Sequence, residues 1–105
     1  MHKKNEIMFG KLAEAQKKMQ EIKDRLETVI VTGEAENGKV VVEANGNNRI
    51  RSISINESLF KIGDKHEVEE LITVAVNRAL EASEKLMQIE MAAASKDILP
   101  GFLQK

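Results

Sequence analysis

The sequence predicts an α+β protein in which a helix, a three-stranded antiparallel meander and a second long helix follow one another. Three observations carry that reading. Apolar residues recur at steps of four and three from residue 8 to 26 and again from 68 to 93, which is the seam of a helix packed lengthwise on another. Between these stretches the apolar period falls to two, in three short runs rich in Val and Ile. Asn-Gly dipeptides at 37–38 and 45–46 punctuate those runs, and tight reversals favour this pair because they need positive φ.

The first helix is expected from Glu6 to Leu26, on a seam of Met8, Leu12, Ala15, Met19, Ile22 and Leu26. Written as heptads, Leu12, Met19 and Leu26 take the a positions and Met8, Ala15 and Ile22 the d positions. Lys4, Lys11, Lys18 and Arg25 then all fall at g, spaced by sevens along one flank. Long basic side chains at g commonly shield a seam and pair with acids on a partner helix. The same line is also a stripe of positive charge suited to a polyanion. From Lys3 to Arg25 seven basic residues stand against four acidic ones, a balance of +3.

Three strands are expected at Thr28–Thr32, Lys39–Glu43 and Arg49–Ile55. A two-residue turn at Asn37-Gly38 sets Val31 opposite Ala44 and Gly33 opposite Val42. A two-residue turn at Gly46-Asn47 would set Ile53 opposite Val40. One sheet face then carries Val29, Val31, Val40, Val42, Ile53 and Ile55, which suits packing under helices. Ile30, Val41 and Ile50 dot the other face, where scattered apolar residues and a second contact are both admissible readings.

Leaving the sheet, Leu59 and Phe60 are expected to plug the core end, and Gly63 to break the chain. Asp64 followed by Glu67 has the spacing of a capping box and starts the second helix. Its seam is Val68, Ile72, Ala75, Ala79, Ala82, Leu86, Ile89 and Ala93. Its first turns (Val68, Leu71, Ile72, Val74, Val76) should be buried against the sheet. This stretch alone spans about 40 Å at 1.5 Å per residue, while a compact chain of this size has a radius of gyration of about 13 Å. The helix must therefore project. Ala75, Ala79 and Ala82 are small enough for another helix to approach closely and, with Leu86 and Ile89, form the expected helix-packing and dimer surface. Pro100 ends the helix, leaving residues 97–105 as an apolar tail on a single domain.

An ideal antiparallel pair with Leu26 level with Val68 would place Lys18 near Arg78, Lys11 near Lys85 and Lys23 near Glu69. Arg78 and Lys85 would then extend the basic flank. The second helix is otherwise acidic, with eight acids against four bases from Asp64 to Asp97.

Enzyme constellations are missing. The chain has no cysteine, which excludes a thiol nucleophile, a thiolate metal site and disulfides, and fits an intracellular compartment. His66 and Glu70 are spaced to share a metal, but two such ligands are a weak signal. The Asn-Gly turns are not followed by helices, so they are not phosphate loops. No apolar run reaches membrane-spanning length, and no apolar stretch follows the basic start as a signal peptide requires. Phe9, Phe60 and Phe102 are the only aromatic residues, few for a deep ligand pocket. No catalytic residue, cofactor, metal, small-molecule substrate or membrane partner is expected.

Met8-Phe-Gly-Lys-Leu, Val31-Thr-Gly-Glu, Asn45-Gly, Ile53-Ser-Ile-Asn-Glu-Ser-Leu and Leu99-Pro-Gly-Phe102, in that order, resemble the YbaB/EbfC family of bacterial nucleoid-associated proteins over residues 8–103. The resemblance leaves residues 1–7 as a mobile N-terminal extension. It implies a cytoplasmic, nucleoid-associated homodimer of α-β-β-β-α protomers whose paired helices protrude like tweezers. It implies DNA as partner, effects on gene expression and no enzymatic activity. On this reading Lys4, Lys11, Lys18 and Arg25 are the first candidates to contact DNA phosphates, with Arg78 and Lys85 behind them. Two rival readings remain: a prefoldin-like holdase gripping non-native chains through Met8, Met87 and Met91, and an assembly adaptor docking through Ile98–Leu103.

Overall fold

The computed structural model describes the backbone of residues 2–62 and 64–98 and the side chains of residues 10–61 and 64–96. The elements run α1 (His2–Glu27), β1 (Ile30–Ala35), β2 (Val40–Asn45), β3 (Ile50–Ile55), α2 (Glu57–Ile62) and α3 (Lys65–Ile98). The order helix, meander, long helix is the one the sequence predicts. The described molecule measures 72 × 26 × 18 Å, with a radius of gyration of 20.2 Å. α3, at 34 residues, is about 51 Å long and projects well past the sheet.

α1 begins at His2, so the backbone of residues 2–7 is helical. Met1 and the tail from Leu99 to Lys105, with Phe102 of the family-like ending, lie outside the described residues. β1 starts two residues later than the sequence pattern suggests, because Thr28 and Val29 finish α1. The Thr28 and Val29 N–H groups donate to the Arg25 and Leu26 carbonyls at 3.3 Å, and the Thr28 hydroxyl donates to the Arg25 carbonyl at 3.0 Å. These donors satisfy carbonyls that a helix end leaves open.

The sheet is a meander of order β1-β2-β3. Val31 pairs with Ala44 and Gly33 with Val42, as the first Asn-Gly turn requires; Asn37 and Gly38 have φ of 56° and 84°. The second register differs. Ile53 pairs with Val42, and Val40 with Ile55. The connection is longer than two residues and carries an irregularity at Glu43/Ala44. From Val40 to Glu43 the shift is two residues and keeps each side chain on its expected face, so the hydrophobic pattern alone could not detect it. Past the irregularity, Ile50 pairs with Ala44, on the face of Val40 and Val42 and not on the opposite one expected for it.

The core forms where α3 crosses that face. Ala35, Val40, Val42, Ala44, Leu59, Ala75 and Ala79 are buried together, ringed by Val31, Ile55, Val68, Leu71, Ile72 and Val76. Val74 and Phe60, expected inside, are 40% and 70% exposed. The broad apolar stripe of α3 is wider than the strip of sheet it covers, and among the described side chains of α2 only Leu59 turns inward. The alanines of α3 also serve differently from expectation. Ala75 and Ala79 face the sheet instead of a helix, at the point where Gly33 brings β1 against α3. A methyl group at Gly33 would overlap the backbone of Ala75 and Ala79 and lie 2.8 Å from the Arg78 carbonyl carbon. Only glycine permits this approach.

Both short connections into the helices are capped. The Asn56 side chain accepts from the Ser58 N–H at 2.9 Å, and Asp64 accepts from the His66 N–H at 3.2 Å, the N-cap role assigned to it.

Candidate nucleic-acid interface

The two arms join at the β2–β3 turn. The Asn45 side chain, fully buried, accepts from the Asn47 and Arg49 N–H groups at 2.9 and 3.1 Å. Asn47 donates through Nδ2 to the Lys23 carbonyl and the Glu27 carboxylate, at 2.9 and 2.8 Å. Gly46 N–H donates to the Leu26 carbonyl at 2.9 Å, so the turn occupies carbonyls of the last turn of α1. On its other side, Asn48 N–H donates to the hydroxyl of buried Ser83 on α3, at 2.9 Å. The turn therefore clamps the base of α1 to the middle of α3. The sequence marks these residues only as a hairpin turn, and nothing in their spacing discloses the clamp.

This anchoring sets the helix register. The Arg25 guanidinium reaches the Glu90 carboxylate at 2.6 Å, and Leu26 shares a groove with Met87 and Met91. Leu26 is thus level with the middle of α3, not with Val68. The expected proximity of Lys18 to Arg78, Lys11 to Lys85 and Lys23 to Glu69 does not occur. The first half of α3 is occupied by the sheet, which pushes the helix–helix contact some twenty residues along. Arg78 instead donates from Nη1 to the Glu34 carbonyl at 2.7 Å, beside β1. Glu69 lies 4.0 Å from Lys65, and His66 Nε2 lies 3.2 Å from Glu70 Oε1. Ala82 and Leu86 are half-buried, while Ile89 is 61% exposed.

The candidate phosphate contacts can now be placed. Lys11 is exposed, Lys18 half-buried and Arg25 exposed although paired; Lys4 is in α1, its side chain outside the described part. Lys11 to Arg25 spans about 21 Å of helix. Lys17 and Lys23 are exposed as well and add to the positive charge of α1. They fall at heptad positions f and e, off the g flank that carries Lys4, Lys11, Lys18 and Arg25. Glu14 and Glu21 sit one turn from Lys11, Lys18 and Arg25, so the flank alternates in sign. It offers individual cations to an anion, not a continuous positive wall. Lys85 stands on α3 next to Glu84 and one turn from Glu81, all exposed.

Between the arms runs an open groove of about 570 Å³, floored by Ala15, Met19, Ile22, Leu26, Met87 and Met91. No group of three or more His, Asp or Glu is arranged to hold a metal among the described residues. No described helix is long and apolar enough to cross a membrane.

The model of the YbaB/EbfC DNA-binding family matches residues 1–98. The chain belongs to this family. A nucleoid-associated protein of Flavobacterium johnsoniae is 31% identical over 93 residues, covering 89% of this chain and 86% of the relative. The Chlorobaculum tepidum nucleoid-associated protein is 35% identical over 99 residues, covering 93% and 87%. That of Myxococcus xanthus is 41% identical over 85 residues, covering 80% and 81%. Among solved structures, an uncharacterized protein from Helicobacter pylori superposes with a TM-score of 0.75 at 22% identity, over 83% of this chain and 91% of that one. This likeness shows the α-β-β-β-α fold. YbaB/EbfC proteins form a DNA-binding family and not an enzyme family.

Proposed function

We propose that this YbaB/EbfC protein is a homodimeric, nucleoid-associated DNA-binding protein of the cytoplasm. It contacts the phosphate backbone through cations on its projecting arms and thereby affects nucleoid organisation and gene expression. The observation that supports this best is α1 itself: a helix that leaves the sheet, keeps Lys11, Lys17 and Lys23 in solvent and is held at its base by the Asn45–Asn48 turn. Lys4, Lys11 and Lys18 are the first contacts, followed by Arg25 once it exchanges Glu90 for a phosphate. Arg78 and Lys85 are secondary, the first because it is engaged with Glu34. Contacts of this kind position a protein without reading bases, so sequence preference should be weak.

The test is DNA binding as a function of salt. Each phosphate neutralised contributes roughly 0.9 to the slope of log K against log salt. Lys11→Ala with Lys18→Ala should lower the slope by about 1.8 per protomer in contact and weaken binding to random and chosen duplexes alike. An unchanged slope places the DNA site elsewhere.

The methionine-lined groove favours the holdase as second reading, since Met19, Met87 and Met91 offer an adaptable apolar surface. Suppression of the aggregation of an unfolded client, without a DNA shift at low salt, would select it.

A further inference from the structure

The chain has four arginines, and the fold engages two of them. Arg25 reaches the Glu90 carboxylate, and Arg78 donates to the Glu34 carbonyl. Arg49 and Arg51 are exposed, and neither guanidinium has a hydrogen-bond or ion-pair partner among the described residues. Both stand in residues 44–56, the longest stretch of the chain without an acidic residue. Glu43, across from Ser52, is the one acid paired to this part of β3. The charged flank of α1 alternates in sign, whereas an anion reaching Arg49 and Arg51 displaces no internal partner.

The backbone holds both residues in place. Arg49 closes the turn that clamps the arms: its N–H donates to the Asn45 side chain at 3.1 Å, and its carbonyl accepts from the Asn45 N–H at 2.8 Å. Arg51 is the extra residue of a β-bulge. Glu43 pairs with Ser52 and Ala44 with Ile50, so Arg51 has no partner on β2, and a bulge re-aims the side chain it carries. Lys23, exposed on α1, is tied to the same turn because its carbonyl accepts from Asn47. Asn48 and Ser52, exposed beside the arginines, carry donors of the kind that bind phosphate oxygens.

We propose that Arg49 and Arg51 form a second phosphate-binding site for duplex DNA, at the root of the arms, with Lys23 completing it from α1. This rests on the DNA-binding reading above and extends it from the helices to the sheet. A guanidinium is a planar fork that takes two phosphate oxygens at once, while the lysines of α1 act as point charges. The root cations are carried on backbone fixed by the sheet, so they set the depth at which the duplex seats against the arms. Lys11 lies about 18 Å farther out along α1 than Lys23. The two sites therefore meet different stretches of the DNA backbone, and their contributions add.

Salt-dependent DNA binding by the full chain tests this. Each phosphate neutralised contributes roughly 0.9 to the slope of log K against log salt. Arg49→Ala with Arg51→Ala should lower that slope by about 1.8 per protomer in contact, on random and chosen duplexes alike. Combined with Lys11→Ala and Lys18→Ala, the loss should reach about 3.6. Arg49→Lys with Arg51→Lys keeps both charges and should keep the slope while affinity falls, because the fork is gone. Lys39→Ala with Lys61→Ala removes the same charge from exposed positions at the other end of the sheet and should leave the slope of the parent. Circular dichroism confirms that each variant is folded. A parental slope in the Arg49→Ala, Arg51→Ala variant, or an equal loss in the Lys39→Ala, Lys61→Ala variant, overturns the root site and leaves the arm contacts to the Lys11→Ala, Lys18→Ala result. A parent that does not bind DNA at low salt overturns both readings.

Discussion

Gly33→Ala adds a single methyl group where β1 meets α3. It overlaps backbone atoms of Ala75 and Ala79 and lies 2.8 Å from the Arg78 carbonyl carbon. A helix backbone cannot rotate aside as a side chain can. Bringing the Arg78 contact alone to 3.4 Å, the lower limit of ordinary contact, moves α3 by about 0.6 Å, and the overlaps at Ala75 and Ala79 demand more. That movement opens the packing of Ala75 and Ala79 against Ala35 and Val42. Overpacking of this kind costs about 1–3 kcal/mol, and the rigid neighbours put this site at the upper end. The loss of unfolded-state freedom on replacing glycine returns about 0.4–1 kcal/mol. The net is about 2 kcal/mol, or a fall in Tm of roughly 8–16 °C for a domain near this size. Gly10→Ala is the control. Nothing lies within 4 Å of a Cβ there, and within a helix the change should stabilise by about 0.5–1 kcal/mol. The same substitution thus carries opposite signs at the two sites. Thermal and urea melts followed by circular dichroism, at one fixed protein concentration, read both. A Gly33→Ala midpoint within about 2 °C of the parent would show that α3 does not press on β1 at this point and would refute the packing argument.

The other predictions concern the base of the arms. Leu26→Ala, at a side chain 1% exposed, should cost about 2–5 kcal/mol, seen as a lower urea midpoint with an unchanged m-value. Asn45→Leu leaves the Asn47 and Arg49 N–H groups without their acceptor at about 1–3 kcal/mol; hydrogen exchange should rise first at the C-terminal turn of α1. Glu90→Gln removes the charge facing Arg25, whose side chain is 55% exposed. Stability should change by under about 1 kcal/mol, less in high salt, while DNA affinity at low salt should rise if the freed guanidinium turns to phosphate.

The sequence by itself determined the order helix, meander, long helix, the first hairpin and the faces that β1 and β2 bury, though not the short helix α2, where only a turn was expected. These depend on local chemistry: the seam periods, the positive φ of Asn37-Gly38 and the cap at Asp64. The family was also legible, because its short motifs keep their order along the chain. Tertiary structure decided how far along α3 the first helix packs. Periodicity fixes which side of a helix is apolar but not the height at which another helix meets it. Here the sheet occupies the first half of α3, so Arg25 meets Glu90 and Arg78 turns to Glu34. The same crossing gave Ala75 and Ala79 to Gly33 instead of to a helix, and the Asn45–Asn48 turn became the joint of the arms. Each of those outcomes joins residues distant in the chain, and only the folded arrangement brings them within hydrogen-bonding or van der Waals reach.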